Sequence, residues 1–162
     1  MKLRMYIGAA LLAFAAVPSL AEAQGRPQRA QEPQPLTVAM AEAAVEAAEA
    51  AAIENNWNVI IVVTDAAGIP IYVKRRDNTM PQAWNFVMGK VRTVLGSGLS
   101  TKEYAEGVAA GTVTAVENAV ALDGGFPIKM NGEVVGAIAA SGVRPDQDAT
   151  VARAGLVTIP GN

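Results

Sequence analysis

The sequence spells two antiparallel hairpins, and that feature restricts the fold more than any other. Phe126 to Met130 and Glu133 to Ala140 are mainly apolar runs separated only by Asn131-Gly132. An Asn-Gly pair tolerates the positive φ angles of a type I′ turn, whose twist matches that of its flanking strands, so this stretch reads as a hairpin. The other hairpin lies upstream. Asn58 to Thr64 is β-branched and continuous, the mark of a strand covered on both faces. Asp65-Ala-Ala-Gly68 turns the chain, and Ile69 to Lys74 returns antiparallel to it. Pro70 has no amide to donate, so the returning strand starts at a sheet edge or a bulge.

Helical patterns precede, separate and follow the hairpins. Thr37 is placed to cap an Ala- and Glu-rich stretch that runs out at Asn55-Asn56. Glu42, Glu46 and Glu49 make one acidic stripe on that helix, while Met40, Val45, Ala48, Ala52 and Ile53 are expected to pack inward. Met80 to Leu95 is the second helix, with Pro81 in its first turn and Trp84, Val87, Met88, Val91 and Leu95 at helical spacing. Gly96-Ser-Gly98 stops it. Ser100 and Glu103 have the spacing of a capping box and open a short helix through about Gly107. Val108 to Ala121 reads equally as helix or strand. Arg144-Pro145-Asp146-Gln147-Asp148 starts the last helix, with proline in its first turn and acidic residues at its positive end, and it runs to about Leu156. Hairpins separated by helices give an α+β sandwich and exclude a doubly wound parallel sheet.

The chain before the domain has a different character. Lys2 and Arg4, an apolar run from Ile7 to Val17, and Ala21-Glu22-Ala23 are the three parts of a secretory signal, so residues 1–23 are assigned to a leader cut after Ala23. The apolar run, about a dozen residues, is short against the roughly 20 that span a bilayer, which disfavours a stable membrane anchor. Residues 24–35 hold Pro27, Pro33 and Pro35 among several Gln and no large aliphatic side chain, the composition of an extended, flexible arm. The folded domain is residues 36–162. Export places it in the periplasm or outside the cell.

Composition removes much of the catalytic repertoire. Among 162 residues there is no His and no Cys, so a Ser-His-Asp triad, a thiol nucleophile, a zinc finger, a His-ligated haem and a disulfide framework are excluded within one chain. What remains is chemistry by carboxylates, Lys, Arg, Tyr, hydroxyls and backbone amides. A net charge of −2 offers no basic surface to release phosphate counterions, which argues against nucleic acid as a partner. Neither a phosphate loop nor a dinucleotide fingerprint is present.

Several motifs match a known family. Val63 to Gly68 looks like its V-x-D-x-x-G turn, and Arg75-Arg76-Asp77 followed by Lys90 resembles its R-x-D-G-A … D-K-A pattern. Gly124-Gly125-Phe126-Pro127-Ile128, then Gly132 to Ile138, Ser141-Gly142 and Gln147-Asp148, is similar to its G-G-x-P-I … G-x-V-V-G-A-I-G-V-S-G … Q-D signature. From about Leu36 to Leu156 the chain resembles the GlcG/HbpS-like family, also called the haem-degrading-domain family. That resemblance implies a profilin-like α-β-α sandwich with a central antiparallel sheet, assembled into a ring-like homo-oligomer, an octamer in some members. It implies haem and iron as cofactors and a membrane sensor as partner for extracellular members; others accompany glycolate or propanediol utilisation. Asn78 and Val91 stand where the family pattern has Gly and Ala. The stretch before Gly124 is short, and no haem ligand carries over by motif, although Thr112 and Thr114 lie in the corresponding region.

The candidate binding residues are Lys90, Arg75, Asp77, Gly124 and Gly125. Lys90 sits among Trp84, Phe86, Met88 and Val91, where an ammonium either grips an anionic group or pairs with Asp77 or Asp65 to lock helix to sheet. Gly124 and Gly125 either present amides to an anion or start a strand tightly. Arg75 and Asp77 read as a pair that stabilises the turn. Trp84 and Met88 read as core or subunit contact. Glu46 and Glu49 have the E-x-x-E form that HbpS-type members use for iron; two carboxylates one helical turn apart can chelate a hard cation, or simply form a solvated face. The leading functional expectation is a secreted or periplasmic protein that binds haem or a small anionic metabolite. The alternatives are an enzyme acting on a small hydroxy- or oxo-acid, and an assembly module without a ligand. When the full chain is expressed in a Gram-negative host, the protein recovered from the periplasm is expected to begin at Gln24 by intact mass; a mass that retains Met1 overturns the leader assignment.

Overall fold

A computed structural model describes residues 36–162. The leader and arm assigned to residues 1–35 lie outside the described residues. The elements in chain order are α1 (Val38–Glu54), β1 (Ile60–Asp65), β2 (Pro70–Arg75), α2 (Ala83–Ser97), α3 (Thr101–Ala109), β3 (Gly125–Met130), β4 (Glu133–Ser141) and α4 (Pro145–Leu156). The strands form one antiparallel sheet in the order β2-β1-β4-β3.

Alternation along the strands divides the core in two. Ile61 and Val63 of β1, Ile138 and Ala140 of β4, and Phe126 and Ile128 of β3 belong to the layer shared with α1 and α4. Ile60 and Val62, with Ala137 and Ala139, face Ala83, Val87, Val91 and Val94 of α2. Both central strands are therefore covered on both faces, and the fold is an α-β-α sandwich around an antiparallel sheet. Pro70 opens β2, an edge strand, and the β1–β2 register shifts between Val63 and Thr64, next to the Thr64–Pro70 pair. Edge and bulge are both used where the missing amide required one of them.

Small residues let the layers close. A Cβ on Gly155 of α4 would run into the Ala44 carbonyl of α1, so the two helices touch backbone to backbone only because this position has no side chain. On α1, Val45, Ala48 and Ala52 point inward as expected, but Ile53 is 53% exposed. The helix has turned that position away from the sheet by its last turn.

Two further expectations change. The second helix begins at Ala83, so Met80, Pro81 and Gln82 form a turn leading into it rather than its first helical turn. Residues 110–124 after α3 form neither helix nor strand but a strap along α2. Val120 and Val116 seat against Gly89 and Gly96 of α2, and Val113 seats against Gly107 of α3. The Val116 amide donates to the Tyr104 hydroxyl at 2.9 Å, and the Val120 amide to the Thr93 hydroxyl at 2.8 Å. Its spaced valines fill glycine notches on the helices, which is why they fit neither periodicity.

Overpacking a tight core site costs roughly 1–3 kcal/mol. Gly155→Leu is therefore expected to lower the unfolding free energy in urea by that amount, and with it the midpoint, whereas Gly98→Ala, where nothing lies near, costs only the strain of its left-handed backbone. Equal midpoints for Gly155→Leu and the parent chain would disprove the close helix contact.

Candidate functional site

Lys90 lies on the inward face of α2, and its side chain is 1% exposed. Its ammonium donates to the Ala140 carbonyl at 2.8 Å and to Oδ2 of Asp148 at 2.8 Å. Asp148 sits in the first turn of α4, where its other oxygen accepts the Val143 amide at 3.2 Å. Gly124, at φ +115°, leaves room for this pair: a Cβ there would stand 2.7 Å from both Lys90 Nζ and Asp148 Cβ. Burial pushes the Lys90 ammonium below the usual lysine range, against the pull of Asp148. It pushes the Asp148 carboxyl up, against the pull of Lys90. Close approach and the additional hydrogen bonds on each partner oppose that desolvation.

The partner of Lys90 is thus Asp148, on a helix, rather than Asp65 or Asp77. Asp65 turns its Oδ1 to the amides of Ala67 and Ile69, at 2.9 Å each, and so holds its own hairpin turn. Arg75 donates to the Thr79 carbonyl at 2.7 Å instead of pairing with Asp77, which lies exposed beside it in the sequence. The Gly124 amide donates to the Asp123 carboxylate and the Gly125 amide to the Thr101 hydroxyl. These two glycines sit at the start of β3, packed against Lys90 and Asp148.

Glu46 and Glu49 stand on the other side of the sheet, on α1 over the edge strand. Glu49 pairs with Lys74 at 3.0 Å, and Glu42 accepts the Tyr72 hydroxyl at 3.3 Å. Both contacts leave marks: Glu42 raises the Tyr72 pKa, and the Glu49 hydrogen bond raises that of Lys74. A cation held by Glu46 and Glu49 would have to displace Lys74. Thr112 and Thr114 lie exposed on the strap, with the Thr112 hydroxyl bonded to the Gly107 carbonyl.

Two shallow depressions flank the turn into α2. One, of about 240 Å³, lies between Ile60, Arg75, Thr79, Met80, Pro81 and Trp84. The second, of about 190 Å³, runs from Met80 and Phe86 past Leu122 to Val143 and Pro145, with Lys90 and Asp148 at its base. Met80 lines both, and each is smaller than the ~300–1,000 Å³ typical of small-molecule sites. Met80, Trp84, Phe86 and Leu122 are 59%, 43%, 46% and 46% exposed, an apolar rim on a water-facing surface. Contiguous apolar surface of this kind marks a place of binding. The sequence reading missed Met80, Phe86 and Leu122. One signal was present: Phe86 falls out of phase with the buried stripe of Val87, Val91 and Val94, so it is surplus to the core.

Residues 36–157 match the family described as haem degrading protein HbpS-like. The chain belongs to the HbpS-like family. The protein GlcG of Escherichia coli strain K12 is 34% identical over 108 residues, which is 65% of this chain and 81% of that protein. A double mutant of HbpS from Streptomyces reticuli is 29% identical, covers 91% of this chain and 99% of its own, and superposes with a TM-score of 0.71. A chain solved as a PduOC–haem complex shares the fold at 20% identity and a TM-score of 0.69, over 77% of this chain and 95% of its own.

In this HbpS-like chain the groups around the two depressions suit an amphipathic anion. Trp84, Phe86 and Met80 offer apolar contact, Arg75 a guanidinium for carboxylates, and Met80 a thioether. Lys90 belongs to the frame beneath. Removing one partner of a buried ion pair costs about 3–5 kcal/mol, whereas an apolar pair of similar volume is often neutral. Lys90→Ala is expected to lose that amount in urea unfolding, and Lys90→Met combined with Asp148→Leu to recover most of it. A Lys90→Ala chain as stable as the parent would contradict the framing role.

Proposed function

We propose that this protein binds haem, or a closely similar amphipathic carboxylate, in the groove between the α2 turn and the start of α4, and that it does so outside the cytoplasm. The observation that carries the reading is the open apolar surface of Met80, Trp84 and Phe86, with Arg75 in the same depression as Met80 and Trp84. One guanidinium N–H of Arg75 goes to the Thr79 carbonyl, and the remaining donors suit a ligand carboxylate bidentately. The family description, a haem-degrading protein, supports the same ligand class. Haem supplies iron-centred redox chemistry when bound; the chain supplies apolar contact, a cation and orientation. The signal-like pattern of residues 1–23 supports export, and the exposed apolar rim supports self-assembly into a homo-oligomer that covers part of the groove. Iron held by Glu46 and Glu49 belongs to this reading as a separate, weaker site.

Titration of the mature chain with haemin is expected to give a saturable Soret change and to quench Trp84 fluorescence, with loss of the quenching in Trp84→Phe. A hydrogen bond to a charged group contributes about 1.5–3 kcal/mol, so Arg75→Ala is expected to weaken binding roughly tenfold or more. Absence of any saturable change refutes the reading.

A further inference from the structure

We infer that a polar basin at the end of β2 is a binding site of its own, for a small anion that carries two or more oxygens, such as phosphate or a short dicarboxylate. The inference does not rest on the haem reading. Three observations converge on the basin.

The first is size and place. The basin holds about 410 Å³, inside the ~300–1,000 Å³ range of small-molecule sites that each of the two apolar depressions falls below. Its lining combines Glu49 and Ile53 of α1, Asn58 ahead of β1, and the run from Lys74 to Asn78 that ends β2 and turns towards α2.

The second is charge held in position. Lys74, Arg75 and Arg76 are consecutive cations, and each is tethered by a different acceptor. Lys74 is held by the Glu49 carboxylate at 3.0 Å, Arg75 by the Thr79 carbonyl at 2.7 Å and Arg76 by the Trp57 carbonyl at 2.6 Å. A guanidinium has several N–H donors in a planar fork, so each arginine keeps donors for a ligand, and part of the entropy of ordering its long side chain is already lost in the fold. Such a fork matches a pair of oxygens on one anion. The Glu49 charge is matched by Lys74. Asp77 is the one lining carboxylate without an ion-pair partner among the described residues, so the cations of the lining outnumber its carboxylates.

The third is Asn78. Its φ is +62°, in the left-handed region that glycine enters without strain, and glycine is what the family pattern has at this position. Asparagine keeps the turn and adds a carboxamide to the lining. Asn58 and Asn78 are both exposed, and among the described residues neither side chain makes a hydrogen bond, so both amides can meet the oxygens of a ligand.

The test is isothermal titration of the mature chain with two probes, inorganic phosphate and succinate, at low and constant ionic strength. Saturable binding of at least one is expected, and the tighter probe tells a tetrahedral oxyanion from a dicarboxylate. Added sodium chloride is expected to weaken it, because the basin is open to solvent. Arg76→Gln is expected to lose about tenfold or more in affinity. Asn78→Gly relieves the backbone and removes only the carboxamide, so it is expected to keep the parent's unfolding midpoint and still bind more weakly. Asp77→Asn removes the unmatched negative charge and is expected to bind more tightly, a gain that a purely structural role would not produce. Arg75 is left intact because it also lines the apolar depression beside Trp84, so these variants are expected to take up haemin as the parent does. No saturable binding of either probe, or equal binding by the parent, Arg76→Gln and Asn78→Gly, overturns the site. Anion binding by a chain that takes up no haemin upholds the site and refutes only the haem reading.

Discussion

The buried ion pair between Lys90 and Asp148 ties together three elements of the sandwich. Lys90 comes from α2, Asp148 from α4, and the carbonyl between them from β4. The helices lie on opposite layers of the sandwich, so the pair is a polar clasp through the end of the sheet. Such a clasp is costly to bury and strongly destabilising to break. Its worth is positional, because an ammonium with three N–H groups accepts only arrangements that give it acceptors at hydrogen-bond distance. Gly124 is part of the same device, since any side chain there would occupy the space of the pair.

What the clasp fixes is the floor of the groove. With α2 and the start of α4 locked, Met80, Trp84 and Phe86 project from one side and Val143 and Pro145 from the other, and the strap brings Leu122 over the gap. The division of labour follows from solvation. Lys90 is desolvated and already satisfied, so it frames. Arg75 is exposed and only partly used, so it can meet an anion from solvent. The acidic stripe of α1 is engaged with Tyr72 and Lys74 on the other face and keeps its charge away from the groove.

Much of the fold was legible. The Asn131-Gly132 turn, the β-branched run of β1 and the Pro70 edge signal are local statements about backbone angles and pleated surfaces, and each appears where the residues put it. The capping box of Ser100 and Glu103 is present with both of its hydrogen bonds. The strap was not legible, because valines that seat in glycine notches of other helices carry the spacing of their receptors and not a period of their own. Nor was the site. Motif reading drew attention to Lys90, Arg75 and the glycines, but gave Lys90 the wrong partner and overlooked Met80, Phe86 and Leu122.

The sequence by itself determined most of the elements and their order, the family, and the absence of imidazole and thiolate from this chain. Short-range physics suffices for these: turn angles, alternation, caps and composition act within a few residues. Tertiary structure alone decided which carboxylate answers Lys90, since Asp148 lies 58 residues away along the chain. It also decided that apolar side chains surplus to the core gather into one groove. Both depend on how two layers close over a sheet, where burial makes every charge find a partner and leaves unburied aromatic surface for a ligand to cover.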